Sequence, residues 1–233
     1  MYRETKIAIP IFKKDKNSAL KAGKDYIKKG ADILELRIDG LSNPNTKIVK
    51  DIIEEINFPT IITNRKKSEG GFFEGSEEER VAILQECSCV ADYVDIELQT
   101  DLKYIKSIKN SAVKTIISFH DFEKTPPVDD LLAIVKKEKK LGDIAKIAVM
   151  PKNLEDTIIV LAILSRCKDT IAISMGELGS YTRIIASKFS SPITFASGDD
   201  TTAPGQIDIE TMKLMLNMVF LDHDDLIKDV KNL

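Results

Sequence analysis

The chain has 233 residues, 43% of them hydrophobic and 30% charged, with a formal net charge of −3. That composition predicts a soluble globular protein with a real core, and the length suits one large domain or two small ones. The charge excludes a nucleic-acid surface built on bulk basic residues, and no apolar run approaches the roughly 20 residues that span a bilayer. Met1-Tyr2-Arg3-Glu4-Thr5-Lys6 leads into Ile7-Ala8-Ile9 without a signal-peptide layout. Cys87, Cys89 and Cys167 lack Cys-x-x-Cys spacing and read as reduced thiols, buried on helices of a cytoplasmic protein.

Eight strand-like runs follow in order, at 6–12, 31–39, 59–65, 93–98, 114–120, 144–150, 170–175 and 193–197. Most are rich in Ile, Val and Thr. Each is followed by a helical pattern, near 16–29, 45–56, 76–90, 100–110, 126–141, 153–168, 178–189 and 208–220. Ile48, Val49, Ile52, Ile53 and Ile56 share one helical face. Ser76 with Glu79 reads as a capping box, Pro126 and Pro127 suit a helix start, and Gly142 suits a stop. The segment 222–233 reads as a last surface helix or a frayed end. Strict alternation implies parallel strands joined by right-handed crossovers, so the expected fold is a single (β/α)8 barrel over 1–233, an eight-stranded closed sheet. The rival is a doubly wound open sheet, which no Gly-x-Gly-x-x-Gly or Walker sequence supports.

Side chains alternate along a strand, and here polar residues share one parity. Glu35 and Arg37 alternate with Leu34, Leu36 and Ile38. Thr63 shares a face with Arg65, Asp95 with Glu97, and Ser118 with His120. In Asp143-Ile144-Ala145-Lys146-Ile147-Ala148-Val149-Met150, a lysine sits alone among small and apolar neighbours. Desolvation there would favour a neutral amine, a nucleophile able to condense with a carbonyl as a Schiff base. The plainer alternative is a lysine at a strand end that snorkels to water. Glu35 and Arg37 equally read as an internal ion pair, Asp95 and Glu97 as structural partners of nearby cations, and His120 as a satisfied core histidine. His223 reads as solvated. In a barrel the polar set points inward near the carboxyl ends of the strands, where barrel enzymes keep their active sites. The Gly-flanked polar segments 66–71 and 198–206 suit lids over that mouth. On strand seven, small Ala172 and Ser174 suggest the inward face, so either the strand ends at Ser174 or Met175 lies outside the pocket.

These motifs, in this order, resemble the type I 3-dehydroquinate dehydratases over nearly the whole chain. They are Glu35-Leu36-Arg37-Ile38-Asp39, Arg65 with Glu69-Gly70-Gly71, Val94-Asp95-Ile96-Glu97-Leu98, and Ile116-Ile117-Ser118-Phe119-His120-Asp121-Phe122. Lys146 through Pro151, Ser174-Met175-Gly176 with Arg183, and Thr202-Ala203-Pro204-Gly205-Gln206 complete the set. The resemblance implies a (β/α)8 lyase of the shikimate pathway that dehydrates 3-dehydroquinate to 3-dehydroshikimate in aromatic amino-acid biosynthesis, with no metal or organic cofactor. It implies that Lys146 forms the Schiff base, His120 is the general acid/base and Glu69 orients His120. Glu35, Arg37 and Arg65 would hold the ring hydroxyls and order the site, the two arginines raising a positive potential that helps keep Lys146 neutral. Arg183, Thr202 and Gln206 would grip the substrate carboxylate and close the lid, and Met175 and Phe195 would line the pocket. Three positions depart from the family pattern: Phe119, whose parity turns it to the helices, Thr202, which stands for a common serine and keeps the hydroxyl, and Met175, whose parity is opposite to that of Ala172 and Ser174. The expected partner is the small-molecule substrate, with no nucleic acid and no membrane, and a homodimer is the assembly to look for. The alternatives are a class I Schiff-base aldolase, a barrel with a metal held by His120 and carboxylates, and a non-catalytic binding barrel.

Overall fold

The computed structural model describes residues 5–111, 113–199 and 202–220. His223 and the segment 222–233 lie outside them. The strands are β1 (Lys6–Ile11), β2 (Ile33–Arg37), β3 (Thr60–Thr63), β4 (Tyr93–Glu97), β5 (Lys114–Asp121), β6 (Ile144–Val149), β7 (Thr170–Ser174) and β8 (Ile193–Phe195). They form one sheet in the order β7-β6-β5-β4-β3-β2-β1-β8. Every ladder is parallel, and β8 returns to pair with β1, Ile7 opposite Thr194. This is the (β/α)8 barrel that the alternating pattern predicts. Between β7 and β8 no ladder forms among the described residues. Side chains span that seam: Arg183 Nη1 donates to the Phe195 carbonyl at 3.3 Å, and Thr194 Oγ1 donates to the Arg183 carbonyl at 2.8 Å.

The outer layer comprises α1 (Lys16–Lys29), α2 (Thr46–Ile56), α3 (Glu77–Cys87), α4 (Leu102–Lys109), α5 (Val128–Leu141), α6 (Leu154–Arg166), α7 (Gly176–Gly179), α8 (Thr182–Ile185) and α9 (Ile209–Phe220). Local sequence sets most of the boundaries. Asp15, Asn45 and Asn153 cap α1, α2 and α6 through their side chains, and Ser76 and Glu79 form the reciprocal capping box of α3. The single helix expected over 178–189 is instead α7, α8 and a 3₁₀ turn, Ala186–Phe189. The segment is pinned to the end of β7. A Cβ on Gly179 would lie 2.3 Å from the Ser174 carbonyl oxygen, and Thr182 Oγ1 accepts from the Ser174 N–H at 3.2 Å. A straight helix cannot follow that contour. The cysteines also depart from expectation: all three are free thiols, but Cys89 is exposed and Cys167 half-buried, so only Cys87 is a buried helical thiol.

Two apolar layers meet at the sheet. Leu34, Leu36, Ile62, Val94, Ile96 and Ile117 pack outward against the helices. Inside the barrel, Ile33, Ile61, Tyr93, Ile116, Ile144, Ile171 and Ile193 form an apolar floor at the strand starts. Above that floor the inward residues of β2 to β5 are polar or charged and β6 adds Lys146, while β6, β7 and β8 also turn Ala148, Ile173 and Phe195 inward, which places the charged cluster at the carboxyl ends of the strands. On β7 the expected facing is reversed. Ile171, Ile173 and Met175 face the interior, while Ala172 packs with Val160, Ile163 and Leu164 of α6. Ala172 and Ser174 are small because α6 and Gly179 approach them closely, not because they border the interior.

Candidate active site

Inward alternation on adjacent strands brings the candidate residues together. Lys146 on β6 is the register partner of Ser118 on β5, and His120 lies two residues further along β5. The two side chains therefore share a face, offset along the strand by about 6.6 Å. Glu35, Arg37, Arg65, Glu69, His120, Lys146, Met175, Arg183, Phe195, Thr202 and Gln206 all line one cavity at this end of the barrel. Gly70, Phe122, Ala148, Ile173 and Ala203 complete its walls.

The charges are largely matched. Arg37 does not pair with Glu35. Its Nε and Nη2 grip the two oxygens of Asp39 at 2.9 and 2.7 Å, because a 3₁₀ turn, Ile38–Gly40, curls Asp39 back beneath it. Glu35 instead accepts from Thr63 Oγ1 at 2.8 Å. Arg65 reaches Asp95 at 2.9 Å and Glu97 at 3.0 Å, and Arg80 Nη1 lies 2.8 Å from Glu97 Oε2. Asp95 and Glu97 are thus partners of buried cations, the plainer of the two readings offered for them. Among the described residues, no group of three or more His, Cys, Asp or Glu side chains is placed to share an ion.

Lys146 is not surrounded by apolar groups alone. Its Nζ donates to Asp95 Oδ2 at 2.7 Å and sits 4.3 Å from the Phe195 ring centroid. Ser118 Oγ donates to the other oxygen of Asp95 at 2.7 Å. Burial alone would raise the Asp95 carboxyl, but Arg65 and Lys146 outweigh it and hold that group well below the usual carboxylate range. The positive potential expected from Arg37 and Arg65 is accordingly offset by Asp39, Asp95 and Glu97.

Glu69 stands on a 3₁₀ turn, Lys67–Glu69, closed by Gly70 at φ +79°, a left-handed conformation suited to glycine. One oxygen, Oε2, accepts the His120 backbone N–H at 3.0 Å and lies 2.9 Å from Nδ1 of the same residue. Burial pushes the Glu69 carboxyl up to about 7, against the pull of Arg65. Burial, then the charges of Arg65 and Lys146, push the His120 imidazolium well below its ordinary 6.5. The imidazole is therefore neutral near pH 7. Bound through Nδ1–H, it leaves Nε2 as the basic nitrogen. Phe122 stacks beside it, ring centroids 6.3 Å apart at 16°.

Arg183 is a buried cation of a different kind. Its guanidinium donates to the carbonyls of Gly205 at 3.1 Å, Pro204 at 3.2 Å and Phe195 at 3.3 Å. No carboxylate pairs with it among the described residues, and burial pushes it down to about 10. An uncompensated buried cation beside a cavity is poised for an anion. The adjoining loop is tied by Gln206 Oε1, which accepts from the N–H groups of Thr202 at 2.7 Å and Ala203 at 3.2 Å. Asp200 and Thr201, in the same predicted lid, lie outside the described residues.

Sequence reading left Asp95, Ser118 and Phe122 out of the site. Their signal was parity, which put Asp95 with Glu97 and Ser118 with His120 on the inward face and Phe122 two residues beyond His120. Asp39 was legible only as part of its motif, since its contact depends on the turn after β2.

The type I 3-dehydroquinase family model matches residues 7–223. A 3-dehydroquinate dehydratase of Methanobrevibacter smithii is 64% identical over 94% of this chain and 97% of its own length. One of Methanothermobacter thermautotrophicus is 50% identical over 91% and 96%. Among solved structures, the type I 3-dehydroquinate dehydratase of Clostridium difficile with covalent modified comenic acid superposes with a TM-score of 0.86. It is 30% identical and covers 93% of this chain and 92% of its own. The matched span runs from β1 past α9 and takes in every residue that lines the cavity, so the chain belongs to the type I 3-dehydroquinase family.

Proposed function

We propose that this chain dehydrates 3-dehydroquinate to 3-dehydroshikimate and water through an imine on Lys146, with His120 as general acid and base. The observation that carries this reading is the shared cavity: Lys146 and His120 open into it from adjacent strands, and Arg183 borders the same space. The names of the relatives supply the substrate.

The proton to be removed lies alpha to a ketone, which alone acidifies it too little at neutral pH. Condensation of the ketone with the Lys146 amine releases water and gives a cationic imine, an electron sink. In the condensation the neutral His120 imidazole accepts a proton from the Lys146 nitrogen and returns it to the carbinolamine hydroxyl, which leaves as water, so that the imidazole is again free to act as a base. Asp95, ionised across the neutral range, then stabilises the positive imine. His120 next takes the alpha proton, the electron pair moves into the imine, and hydroxide leaves the adjacent carbon with a proton from His120 as water. Hydrolysis of the imine releases product and restores the amine. Glu69 holds the tautomer and orientation of the imidazole. Arg183 takes the substrate carboxylate, with the loop of Thr202 and Gln206 closing over it, and fixes the ring against His120. Glu35, Arg37 and Arg65 set the polar wall that meets the ring hydroxyls, and Met175 and Phe195 supply its apolar side.

A class I aldolase would use the same lysine to cleave a carbon–carbon bond. Incubation of the purified protein with 3-dehydroquinate, followed by the absorbance of the conjugated enone, separates the readings. Dehydration gives the enone. Its absence, with cleavage of a phosphorylated sugar or with no turnover of either compound, defeats the proposal in favour of the aldolase or the binding barrel.

A further inference from the structure

The buried acids among the described residues are Glu35, Asp39, Glu69, Asp95, Glu97 and Glu138. All but Glu138 stand on the barrel strands or the turns that follow them, each with a side-chain partner: Thr63, Arg37, His120, Lys146 and Arg65 in turn. Glu138 lies outside the sheet, on α5, and its carboxyl oxygens pair with no side chain among the described residues. The reaction as derived above does not use it. A carboxyl set in an apolar layer costs stability unless it is compensated, and packing alone would favour leucine at such a position.

Helical spacing sets where that carboxyl points. Leu131, Val135 and Glu138 form the buried stripe of α5. Leu131 and Val135 pack with Ala145, Ile147 and Val149, the outward residues of β6. One turn beyond Val135, Glu138 meets the same strand near the smallest of these, Ala145, and the polar group beside its carboxyl is the main chain of Lys146. The residue is firmly seated. It belongs to the last turn of α5, and its carbonyl accepts the Gly142 N–H at 2.9 Å. The Asp143 carboxylate, which follows, accepts from the Thr115 N–H at 2.8 Å and from its hydroxyl at 2.9 Å, tying the connection to β5. Lys146 is therefore flanked on both faces of β6. Inside the barrel Asp95 takes its Nζ at 2.7 Å, and outside it Glu138 stands behind its main chain.

We propose that Glu138 is a positioning residue: it fixes the main chain of Lys146 from behind β6 and so sets the direction from which the amine meets the bound ketone. The direction of a strand side chain follows the peptide planes at its root, and displacing a reacting group by about 1 Å costs on the order of 100-fold in rate. A carboxyl kept here against the preference of the packing marks a place where geometry outranks stability. The proposal rests on the imine reading of Lys146.

Single-turnover mixing of the full chain with 3-dehydroquinate, quenched at intervals with borohydride, measures how fast Lys146 acquires its adduct. Steady-state rates and denaturation curves at pH 8 accompany it. Glu138→Gln keeps the length and a hydrogen-bonding carbonyl, and should form the adduct within about threefold of the wild-type rate. Glu138→Met keeps the volume alone, and should slow both adduct formation and kcat by about tenfold or more, with KM within about threefold. It should do so while no less stable than the wild type, whereas a residue that serves only the fold would lose rate and stability together. Glu138→Met at the wild-type rate, or Glu138→Gln as slow as Glu138→Met, overturns the proposal. So does a slow Glu138→Met that has also lost stability. A wild type that turns over 3-dehydroquinate with no adduct on Lys146 defeats the imine reading itself, and this proposal falls with it.

Discussion

Lys146 Nζ and Asp95 Oδ2 lie 2.7 Å apart, and both residues are buried. The lysine that the sequence presents among isoleucine, valine and alanine is thus held by a carboxylate contributed from β4, two strands away. Asp95 serves two cations at once, since its other oxygen takes Arg65 at 2.9 Å. Removing it strips a partner from each.

Asp95→Asn should therefore destabilise the fold as well as the chemistry. Breaking a buried pair from one side leaves charge without compensation, at a cost of about 3–5 kcal/mol. Urea unfolding of the variant should show a midpoint well below that of the wild type. An unchanged midpoint would mean that Arg65 and Lys146 do not depend on this carboxylate.

Glu69 gives a pH dependence with a definite sign. Its carboxyl sits at about 7 in the folded protein against an ordinary value of 4.5. The folded state binds that proton more tightly than the unfolded chain does, so the contribution to stability is fully present below pH ~4.5 and is lost as pH rises through about 7. Glu69→Gln lacks this loss. The variant should gain on the wild type across that window and, at pH 8, be more stable by on the order of 3 kcal/mol. Its turnover should nonetheless fall by about 100-fold, because His120 loses the carboxylate that orients it. Thermal unfolding at pH 4 and pH 8, alongside the steady-state rate, checks both halves. A stability difference that does not grow with pH would contradict the assignment.

The barrel was legible because eight β-rich runs alternate with helical ones, and a parallel sheet built from such units has few topologies open to it. Parity then exposed Glu35, Arg37, His120 and Lys146 as one inward set. Contacts that depend on how far the chain turns after a strand were not legible. Arg37 was weighed as a partner of Glu35 but pairs with Asp39, and the helix after β7 breaks at Gly179. Facing was misread on β7 because small side chains suggest room for a ligand, whereas Ala172 and Ser174 make room for α6 and Gly179. Periodicity in one strand reports alternation but not which face a neighbouring helix will crowd.

Arg183→Ala should raise KM by about 100-fold, the worth of a charge-assisted contact of 2–3 kcal/mol. The fold should not suffer in proportion, since the side chain brings an uncompensated buried charge and only carbonyl partners. Initial rates over a range of 3-dehydroquinate concentrations measure this, and an unchanged KM counts against a carboxylate clamp.

Glu138 of α5 is fully buried, and its carboxyl oxygens pair with no side chain among the described residues, the backbone of Lys146 being the polar group nearby. Burial, then the charges of Asp95 and Glu69, push its carboxyl well above 4.5. By the same sign, it subtracts stability increasingly as pH rises above about 4.5. Glu138→Met, which keeps the volume and removes the ionisable group, should stabilise the protein at pH 8 by about 1–3 kcal/mol, with a smaller gain at pH 4. Equal or lower stability at pH 8 in paired chemical denaturation curves would show that the carboxyl has a compensating partner.

The most direct measurement is reduction of the working protein with borohydride in the presence of 3-dehydroquinate, followed by peptide mapping by mass spectrometry. The account predicts a covalent adduct on the peptide containing Lys146, absent without substrate and absent in Lys146→Ala. Turnover of 3-dehydroquinate with the Lys146 peptide unmodified, or with the adduct on another lysine, would contradict it.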